Sequence, residues 1–578
     1  MTKRWCVAET ISEDVRLSFP EYSSVLLQLL WNRNQQTQDC MDIFLGPDWN
    51  RDTCDPFLFQ HISRAVERTF TALEQGEKIV IHGDYDADGV CGSAVLLSGL
   101  RDICRACGFD EHQLSFYIPH REKEGYGFSP ETAEHLYEQE KANLIITVDC
   151  GISNAPAIAR AKALGIDTII CDHHTVPDLI PQEAILLHPL VPGEIFPNKH
   201  LCGTGVAFKF VSALFSEARK HGADFPEGYE KWLLDLVAIA TVTDVMPLQG
   251  ENRVLEMFGL LVLNKTRRIG LQKLFEVAGI IPGKIDTWTI GFQIGPRLNA
   301  AGRMHHASVA LELLLSEDSA EATRLAGELH ETNLARQKAS EQMYQTARAK
   351  LTEMTGKNLL VAVEEGWSAG LVGLVAGKLL YEFHRPVFVV GKDGEKFVAS
   401  GRSIPGFDIT QALQAAAEHL DRFGGHPQAC GFSTTGEDRF LRAVEVMTAC
   451  ADEILSHTEL TPQLLIEAEV NLEEIGWPLF QDLQRFEPFG EGNRVPIFCT
   501  RNLEMVAIEY MGKDEKHARF LLKNANGMMK RFVAFGFGTL AQTFSVGMHV
   551  DVAYEVGLNE WKGNREIQLK VVDLVPNT

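Results

Sequence analysis

The stretch KIVIHGDYDADGVCG, residues 78–92, has the pattern that decides the fold. Its first four residues are typical of a short buried strand, and a polar loop holding His82, Asp84, Asp86 and Asp88 follows at once. The apolar run at 93–100 then predicts the start of a helix. This order places the acids at the carboxyl end of a strand, where open α/β sheets bind their ligands.

The three carboxylates within five positions indicate a bound cation. Carboxylates this close raise one another's pKa unless a positive charge neutralises them, and a divalent cation with oxygen ligands is the natural neutraliser. A solvated acidic turn is the alternative, because Asp and Gly are ordinary turn formers. The stretch alone leaves both interpretations open.

Length and composition predict a multidomain protein without a membrane segment. The chain has 578 residues, of which 45% are hydrophobic, and about 150 residues per domain gives roughly three or four domains. Apolar runs stay below the roughly 18 residues that cross a bilayer, and the N-terminus lacks the apolar core of a signal peptide. We therefore expect a cytoplasmic protein. Its twelve cysteines are spread singly, which is typical of reduced thiols.

The formal net charge of −24 argues against a chain that binds nucleic acid over its whole surface, since phosphate-binding proteins are usually basic. Residues 494–578 differ, because they carry 11 Lys and Arg against 9 Asp and Glu. A nucleic-acid-binding surface could therefore lie in this last segment.

Strand-like runs recur after residue 78, with helix-like stretches between most of them. They lie at 78–82, 114–118, 143–149, 168–171 and 184–187. Strands spaced by helices predict βαβ units and a parallel sheet. Several of these runs end in polar residues that could bind metal. These are Asp149, Asp172, His173 and His174, and Asp244 follows two further predicted helices.

The remaining chain predicts a long helix, a second α/β domain and a small barrel. Residues 318–354 contain no proline and one glycine, and Asp318 followed by Glu321 is typical of a helix start. Beyond this helix, strands at 359–363 and 386–390 flank a helix at 370–380, and alternating runs follow a linker near 456–463.

The expected fold class is α/β, and the chain divides into five segments. Residues 1–75 form a helical extension packed on the first domain, a parallel-sheet domain spans 76–315, a connecting helix spans 316–356, a second α/β domain spans 357–456, and an all-β domain spans 463–578.

The candidate metal ligands together suit two ions. They are His82, Asp84, Asp86, Asp88, Asp149, His173, His174 and Asp244. Oxygen and imidazole donors suit Mn²⁺ or Mg²⁺, and seven or eight such groups are too many for one ion. Two ions about 3.5–4 Å apart could stabilise both the attacking and the leaving oxygen of a phosphoryl substitution. Asp149, alone at the end of a central-looking strand, is our candidate for the carboxylate that bridges them.

The triplet DHH at 172–174 is the signature of the DHH phosphoesterase superfamily. HGDYDADG, TVDCG and the Asp of ATVTDVMP stand in that superfamily's order, and GPRLNAAGRM, SGRS, FGGHPQACGF and PFGEGN resemble the bacterial RecJ exonucleases in particular. The resemblance extends from about residue 75 to the end of the chain. It implies a DHH domain, a DHH-associated substrate-binding domain and an OB-fold. It also implies a metal-dependent exonuclease that degrades single-stranded DNA from 5′ to 3′ into mononucleotides in repair and recombination.

The resemblance also implies a role for each matching residue of the centre. His82 and Asp86 match ligands of the first metal, Asp88, His173 and Asp244 match ligands of the second, and Asp149 is shared by both. His174 matches the residue that contacts the scissile phosphate. Asp84 belongs to the motif, with a direct or an outer position left open. Cys150 departs from the pattern, since Asn is frequent there in relatives, and its thiol could oxidise or change the metal preference.

Further residues are expected to bind the DNA strand. Arg297 and Arg303 offer forked donors for phosphates, with Asn299 to orient one of them. The second domain's candidates for binding a terminal phosphate are Ser400, Arg402, Ser403, Gly424, Gly425 and His426. The candidates along the path of the DNA strand are Arg121 and Tyr126. The barrel's candidates are Trp561 and Lys562, with Lys530, Arg531 and Arg565.

Two further expectations concern glycines and aromatics. Gly203 and Gly205 could open a helix onto phosphate, although they could equally be a simple cap. Phe532, Phe535 and Phe537 are expected to share one face of a strand and to lie in the core rather than to stack on bases.

Two other functions are alternatives to the exonuclease. A phosphodiesterase for short oligonucleotides or cyclic dinucleotides would share both α/β domains, but such relatives are shorter and lack the barrel. A non-catalytic DNA-binding scaffold would lack ligands that are all present here. The resemblance implies single-stranded DNA, a RecQ-type helicase and single-strand-binding protein as partners of a monomer.

Overall fold

An N-terminal segment precedes three domains in the computed structural model, which describes residues 3–121, 124–354, 356–456, 460–561 and 563–577. The segment contains a strand and four helices: β1 (Arg4–Val7), α1 (Glu13–Ser18), α2 (Ser24–Asn32), α3 (Gln38–Leu45) and α4 (Trp49–Asp52).

The first domain surrounds a parallel sheet of five strands in the order β3-β2-β4-β5-β6. Strands β2 and β4 are buried along their whole length, because helices cover both faces of the sheet. The predicted parallel sheet is thus confirmed. The elements are α5 (Ile62–Gln75), β2 (Ile79–Gly83), α6 (Ala87–Cys107), β3 (Leu114–Tyr117), α7 (Pro130–Glu138), β4 (Leu144–Val148), α8 (Ala155–Ala163), β5 (Asp167–Cys171), β6 (Ile185–Leu187), α9 (Gly203–Lys220), α10 (Leu234–Thr243), α11 (Gly250–Leu263), α12 (Ile269–Ala278), α13 (Thr287–Thr289), α14 (Gly295–Met304) and α15 (Ser308–Leu315).

The long helix α16 (Ser319–Thr352) joins the first domain to the second. Asp318 caps it by accepting a hydrogen bond from the Glu321 amide at 2.7 Å, as the sequence predicts. Its 34 residues span about 51 Å. Leu325 and Leu329 pack in the core of the first domain, and Ala347 and Leu351 pack in that of the second. The helix therefore belongs to both cores.

The second domain has a mixed sheet in the order β10-β11-β9-β8-β7, in which only β7 and β8 run parallel among the described strands. Helix α17 covers one face, and α18 and α19 cover the other. The elements are β7 (Leu360–Glu365), α17 (Val372–Phe383), β8 (Val387–Asp393), β9 (Lys396–Arg402), α18 (Ile409–Ala415), β10 (Arg422–His426), β11 (Ala429–Thr435) and α19 (Glu437–Leu455).

The last domain is a closed barrel of five strands, since β14, β15, β16, β18 and β17 pair in turn and β17 pairs back with β14. This closure confirms the predicted OB-like barrel. The elements are β12 (Gln463–Ile466), β13 (Ala468–Glu469), α20 (Trp477–Gln484), β14 (Phe498–Met511), β15 (His517–Lys523), β16 (Met529–Ala534), α21 (Gly538–Ala541), β17 (His549–Trp561) and β18 (Asn564–Pro576).

The N-terminal segment corrects one expectation. Strand β1 pairs in parallel with β12, and side chains from Ile11 to Phe44 pack in the core of the barrel. Only the later part, including Phe59 and helix α5, packs in the first domain's core. The prediction that residues 1–75 pack on the first domain is therefore wrong for residues 4–45, because their apolar side chains complete the barrel's core instead.

In the part of the chain that the structure describes, we find no helix both long and apolar enough to span a bilayer.

Candidate metal centre and substrate-binding surface

The candidate ligands meet at one edge of the parallel sheet. Strands β2, β4 and β5 are direct neighbours, so their carboxyl ends bring Asp84, Asp149 and Asp172 together. Helix α6 begins at Ala87, earlier than predicted, because the Asp86 side chain caps it by accepting from the Asp88 and Gly89 amides at 2.9 and 3.2 Å.

Three groups of side chains have ligand atoms within 4.8 Å of one another. They are Asp84, Asp86 and Asp149; Asp149, His173 and His174; and Asp88, His173 and Asp244. Asp149 and His173 each belong to two groups, and His173 Nε2 lies 3.1 Å from Asp149 Oδ1 and 3.4 Å from Asp244 Oδ2. The cluster therefore has two lobes that meet at Asp149 and His173.

Asp149 occupies a strained position between the lobes. Its φ is +60°, which is uncommon for a residue with a side chain. The first turn of α9 lies against it so closely that a Cβ on Gly203 would come within 2.7 Å of the Asp149 Cβ. The glycine at 203 is required for this approach.

The start of α9 binds a carboxylate of the cluster. The Gly203 and Thr204 amides donate to the two carboxylate oxygens of Asp88 at 2.7 and 2.8 Å, where the helix dipole favours negative charge. Of the two alternatives for Gly203 and Gly205, the structure favours the helix cap over a phosphate site, since Asp88 takes the Gly203 amide and the Gly205 amide donates to Cys202 Sγ.

The electrostatics of the cluster favour a bound cation. Burial and the neighbouring carboxylates raise the pKa values of Asp84, Asp86, Asp149 and Asp244 above their ordinary range. Within the described residues, Asp84 Oδ1, Asp244 Oδ2 and His82 Nε2 are buried without a hydrogen-bond partner. Carboxylates that repel one another and buried atoms without partners are what a site for divalent cations offers before the ions bind, so these residues fit Mn²⁺ or Mg²⁺.

His82 lies apart from the three ligand groups found among the described residues. Its ring is fully buried, which lowers its pKa to about 4, and it stacks on Tyr117. The Cys150 Sγ lies 3.5 Å from His82 Nδ1, and burial raises the pKa of this thiol well above its ordinary value. Cys150 thus contacts a predicted ligand and remains a thiol rather than a thiolate.

Asp172 holds the two histidines that follow it. Its carboxylate accepts hydrogen bonds from the Ile152, His173 and His174 amides and from His174 Nδ1 at 2.8 Å. Although burial opposes the charge on His174, this bond and the nearby carboxylates raise its pKa to about 9. The sequence suggested Asp172 as a residue that could bind metal, but it belongs to none of the three ligand groups among the described residues, and its carboxylate holds His174 instead.

Tyr126 also positions this region. Its hydroxyl donates to the Asp149 carbonyl at 3.1 Å and lies within hydrogen-bond distance of the His174 ring. The half-exposed Tyr126 thus has hydrogen-bond partners within the protein, in addition to the DNA strand whose path it is predicted to line.

Arginines gather on one side of the cluster. Burial, together with the nearby Arg121, Arg336 and Arg402, lowers the pKa of Arg303 to about 10. Among the described residues, none of these four guanidinium groups forms an ion pair with a carboxylate, so the region is suited to phosphates. Arg336, from the middle of α16, was not predicted, because one of several arginines in a polar helix has the pattern of a solvated surface residue.

Two residues of the motif GPRLNAAGRM have structural partners. Asn299 Oδ1 accepts a hydrogen bond from the Ala87 main-chain amide at 2.8 Å, so the Asn299 side chain fixes the start of α6. The expectation that Asn299 orients an arginine is therefore wrong. Arg297 is largely buried and donates to the Gln293 carbonyl and to His330 Nδ1.

The second domain presents its candidate phosphate ligands on one face. Ser400 and Gly424 both lie across from Gly431, and Arg402 and His426 both lie across from Ala429, so all four share a face of the sheet. Arg402 Nη1 donates to Ser400 Oγ at 3.0 Å. Gly425 points to the opposite face.

Ser403 differs from the other candidates of this domain. Its hydroxyl is buried and donates to the Phe407 carbonyl at 2.7 Å. The structure therefore places Ser403 in the loop's own hydrogen bonding rather than with the other candidates.

The barrel's candidates lie at the tip of its last hairpin. Trp561 ends β17 and is 68% exposed, whereas Lys562 lies outside the described residues. Arg565 lies near Glu560 and over the Trp477 ring. The expectation for the three phenylalanines is wrong in part, because β16 ends at Ala534: Phe532 is in the core, while Phe535 lies beyond the strand and is half exposed.

Family models match each domain. The DHH family N-terminal domain matches residues 78–241, the DHHA1 domain matches 356–453 and the RecJ OB domain matches 466–573. Together they cover more than half of the chain.

Curated relatives match most of the chain. It is 36% identical over 554 residues to the single-stranded-DNA-specific exonuclease RecJ of Bacillus subtilis, covering 95% of this chain and 67% of the relative. It is 32% identical over 538 residues to the enzyme of the same name from Escherichia coli, covering 89% and 90%. RecJ from Thermus thermophilus in complex with Mn²⁺ superposes with a TM-score of 0.82 at 29% identity, over 100% of this chain and 80% of that one.

Proposed function

The chain belongs to the RecJ family of single-stranded-DNA-specific exonucleases, and from this premise we propose that it hydrolyses single-stranded DNA from 5′ to 3′ and releases 5′ mononucleotides. The proposal places the chain in DNA repair and recombination. The observation that carries it is the two-lobed cluster at the strand ends, because Asp149 joins two groups of ligands beside a set of arginines free of carboxylate partners among the described residues.

The two lobes divide the ligands between two ions. We assign His82, Asp86 and Asp149 to the first ion, with Asp84 beside them in the same lobe, and Asp88, Asp149, His173 and Asp244 to the second. When bound, two Mn²⁺ or Mg²⁺ ions supply positive charge to the attacking and the leaving oxygen of a phosphoryl substitution. His82 enters this set because its buried Nε2 has no partner within the described chain.

The protein's own residues bind and orient the strand. His174, held through Nδ1 by Asp172, presents its imidazole ring to the scissile phosphate. Arg303 lies near Asp86 and can hold the phosphate beside the cluster. Arg402 and Ser400, with Gly424 and His426 on the same face, form the site for the 5′-terminal phosphate. Trp561, with the neighbouring Lys562 of the sequence, contacts the strand from the barrel.

The partners follow from the family. We propose a RecQ-type helicase and single-strand-binding protein as partners of a monomeric enzyme, because degradation of a single strand requires that the duplex first be opened. Co-sedimentation of the purified proteins, with the mass of the free chain measured in the same run, tests both points. The cytoplasmic location stays a prediction.

Release of nucleotides from a 5′-phosphorylated, 3′-labelled single strand with Mn²⁺ tests the activity. We expect the protein to shorten this strand stepwise from its 5′ end, to leave a matched blunt duplex intact, and to lose activity on Asp149→Ala. If the long strand survives while di- to pentanucleotides are cleaved, the short-oligonucleotide phosphodiesterase is correct instead. If neither is cleaved while the strand is bound, the non-catalytic scaffold is correct.

A further inference from the structure

A cavity of about 660 Å³ lies beside the catalytic cluster. The residues to which a function is assigned above line it only at its edge. Its walls come from five parts of the chain: the residues on either side of Asp244, the segment from α13 to α14, helix α16, helix α17, and residues 489–495. The volume is in the range of ligand-binding pockets. The cavity therefore lies where the first domain, the second domain and the approach to the barrel meet.

Two aromatic side chains on one wall are exposed to this space. Trp288 is 57% exposed and Phe292 is 67% exposed, and their rings stack with centroids 5.4 Å apart and an angle of 25° between the planes. We call this pair the aromatic shelf. Exposed aromatic surface of this kind is costly in water and marks a binding site more often than chance. A π-helix, Ile290–Ile294, carries Phe292, and such segments are frequent at functional sites.

The shelf is held in place by the segment that leads into the barrel. Thr287 Oγ1, next to Trp288, donates to the Phe489 carbonyl at 2.6 Å. The amide of Leu248 donates to the Glu491 carbonyl at 2.7 Å. These bonds indicate a structural role for the motif PFGEGN, residues 488–493, which had no function from its sequence alone.

The cavity adjoins the catalytic cluster. Val245, the residue after the ligand Asp244, lines it and is 62% exposed. Its φ of +58° is an outlier for a β-branched residue, and such strain is found mainly at functional sites. Asn299 and Arg303 line the end nearest to Asp86.

The charges around the cavity indicate what occupies it. Arg303, Arg336 and Arg494 line it, whereas its one lining carboxylate among the described residues, Glu491, is paired with Arg494 at 3.1 Å. Apolar aromatic surface framed by guanidinium groups is complementary to the bases and phosphates of a nucleic acid strand. A protein partner or a second copy of the chain would have no need of a surface next to the catalytic ligands, whereas the DNA strand must pass there to reach them.

We propose that the aromatic shelf of Trp288 and Phe292 is a nucleobase-stacking site for the DNA strand next to the catalytic cluster, a proposal that rests on the exonuclease function. A base stacks on the exposed ring face, and Arg336 binds a neighbouring phosphate. Stacking does not distinguish the four bases, so the shelf increases the affinity for DNA without sequence preference. It also requires an unpaired base, so it favours single strands over duplex.

Binding of fluorescein-labelled 12-nucleotide single strands, each with one abasic position moved along the strand from the 5′ end, tests the shelf. Ca²⁺ replaces Mn²⁺ so that binding is measured without relying on turnover. We expect one or two adjacent positions at which loss of the base weakens binding to the unaltered protein about tenfold or more. In Trp288→Ala and Phe292→Ala the intact strand should bind about tenfold more weakly, and the abasic effect at those positions should vanish.

Tyr381→Ala is the matched control, because Tyr381 is 90% exposed on α17 and does not line the cavity. It should keep the abasic profile of the unaltered protein. The melting temperature and the Mn²⁺ affinity of all variants should be unchanged, which separates binding from folding. The same abasic profile in Trp288→Ala as in the unaltered protein overturns the proposal. If the unaltered protein releases no nucleotides but shows a profile that depends on Trp288, the exonuclease function fails and the shelf stands.

Discussion

Replacing Arg253 by methionine should release the segment before the barrel from the first domain. Arg253 lies on α11 and is almost completely buried, yet it donates hydrogen bonds only to main-chain carbonyls within the described residues. These are the carbonyls of Phe44, Arg485, Phe486, Glu487 and Pro488, at 2.8–3.4 Å. One side chain thus connects the first domain to the N-terminal segment and to the end of α20.

The expected loss follows from these contacts. Five hydrogen bonds from a charged donor contribute about 7 kcal/mol if each takes the low value of about 1.5 kcal/mol. Burial lowers the pKa of Arg253 to about 10, and at about 1.4 kcal/mol per pKa unit methionine recovers about 3 kcal/mol of that cost. The net loss is therefore about 4 kcal/mol, because methionine keeps the apolar stem and leaves the carbonyls without donors.

Hydrogen exchange measured by mass spectrometry gives the local effect. A loss of about 4 kcal/mol corresponds to protection that falls up to about a thousandfold in peptides covering residues 477–495. Peptides from β2 and α6 should keep their protection. Arg253→Lys should lose about half as much free energy, since it keeps the charge but not the planar fork. Arg442→Met, at an exposed position of α19, is the control and should change nothing. Unchanged protection at 477–495 in Arg253→Met would refute the reasoning.

Three further variants test the core and the cluster. Both carboxylate oxygens of Glu256 lack hydrogen-bond partners in the described chain, and burial raises its pKa. Folding therefore keeps Glu256 neutral, and the stability of the protein falls as the pH rises above the pKa of Glu256 in the unfolded chain. Glu256→Gln should match the melting temperature of the unaltered protein at pH 4.5 and exceed it at pH 8, and an equal difference at both pH values contradicts this. Gly203→Ala should lower stability by about 1–3 kcal/mol and weaken Mn²⁺ binding in calorimetry, since the new Cβ would meet Asp149, whereas Gly205→Ala, which meets mainly the Leu201 side chain, should keep both. Asp172→Asn should lower the rate of nucleotide release about 10–100-fold, because an amide has one acceptor oxygen for four donors; a rate that stays within twofold would show that Asp172 does not orient His174.

The catalytic sheet could be predicted from the sequence because its signals are local. The run at 79–83 is apolar and ends in acids, and the same holds at Asp149 and Asp172, so the strand ends and their carboxylates appear together. Asp318 and the lack of helix-breaking residues likewise locate α16. Motif resemblance then grouped residues that lie far apart in the chain.

The residues that were missed depend on contacts between distant parts of the chain. Strand β1 has only four residues and pairs with β12 more than 450 positions away, so nothing near it predicts the barrel as its partner. Arg336 reads as a surface residue of α16 until the fold brings it beside Arg303. Trp288 and Phe292, four positions apart, have the spacing of core residues on a helix, and only the structure shows them exposed.

The proposed mechanism requires a centre of two metal ions at the strand ends. Anomalous diffraction at the manganese edge, from crystals of the full chain grown with Mn²⁺, locates bound manganese directly. We expect two peaks about 3.5–4 Å apart, one beside Asp84, Asp86 and Asp149 and the other beside Asp88, His173 and Asp244. A single peak, or peaks away from Asp149, would contradict the account.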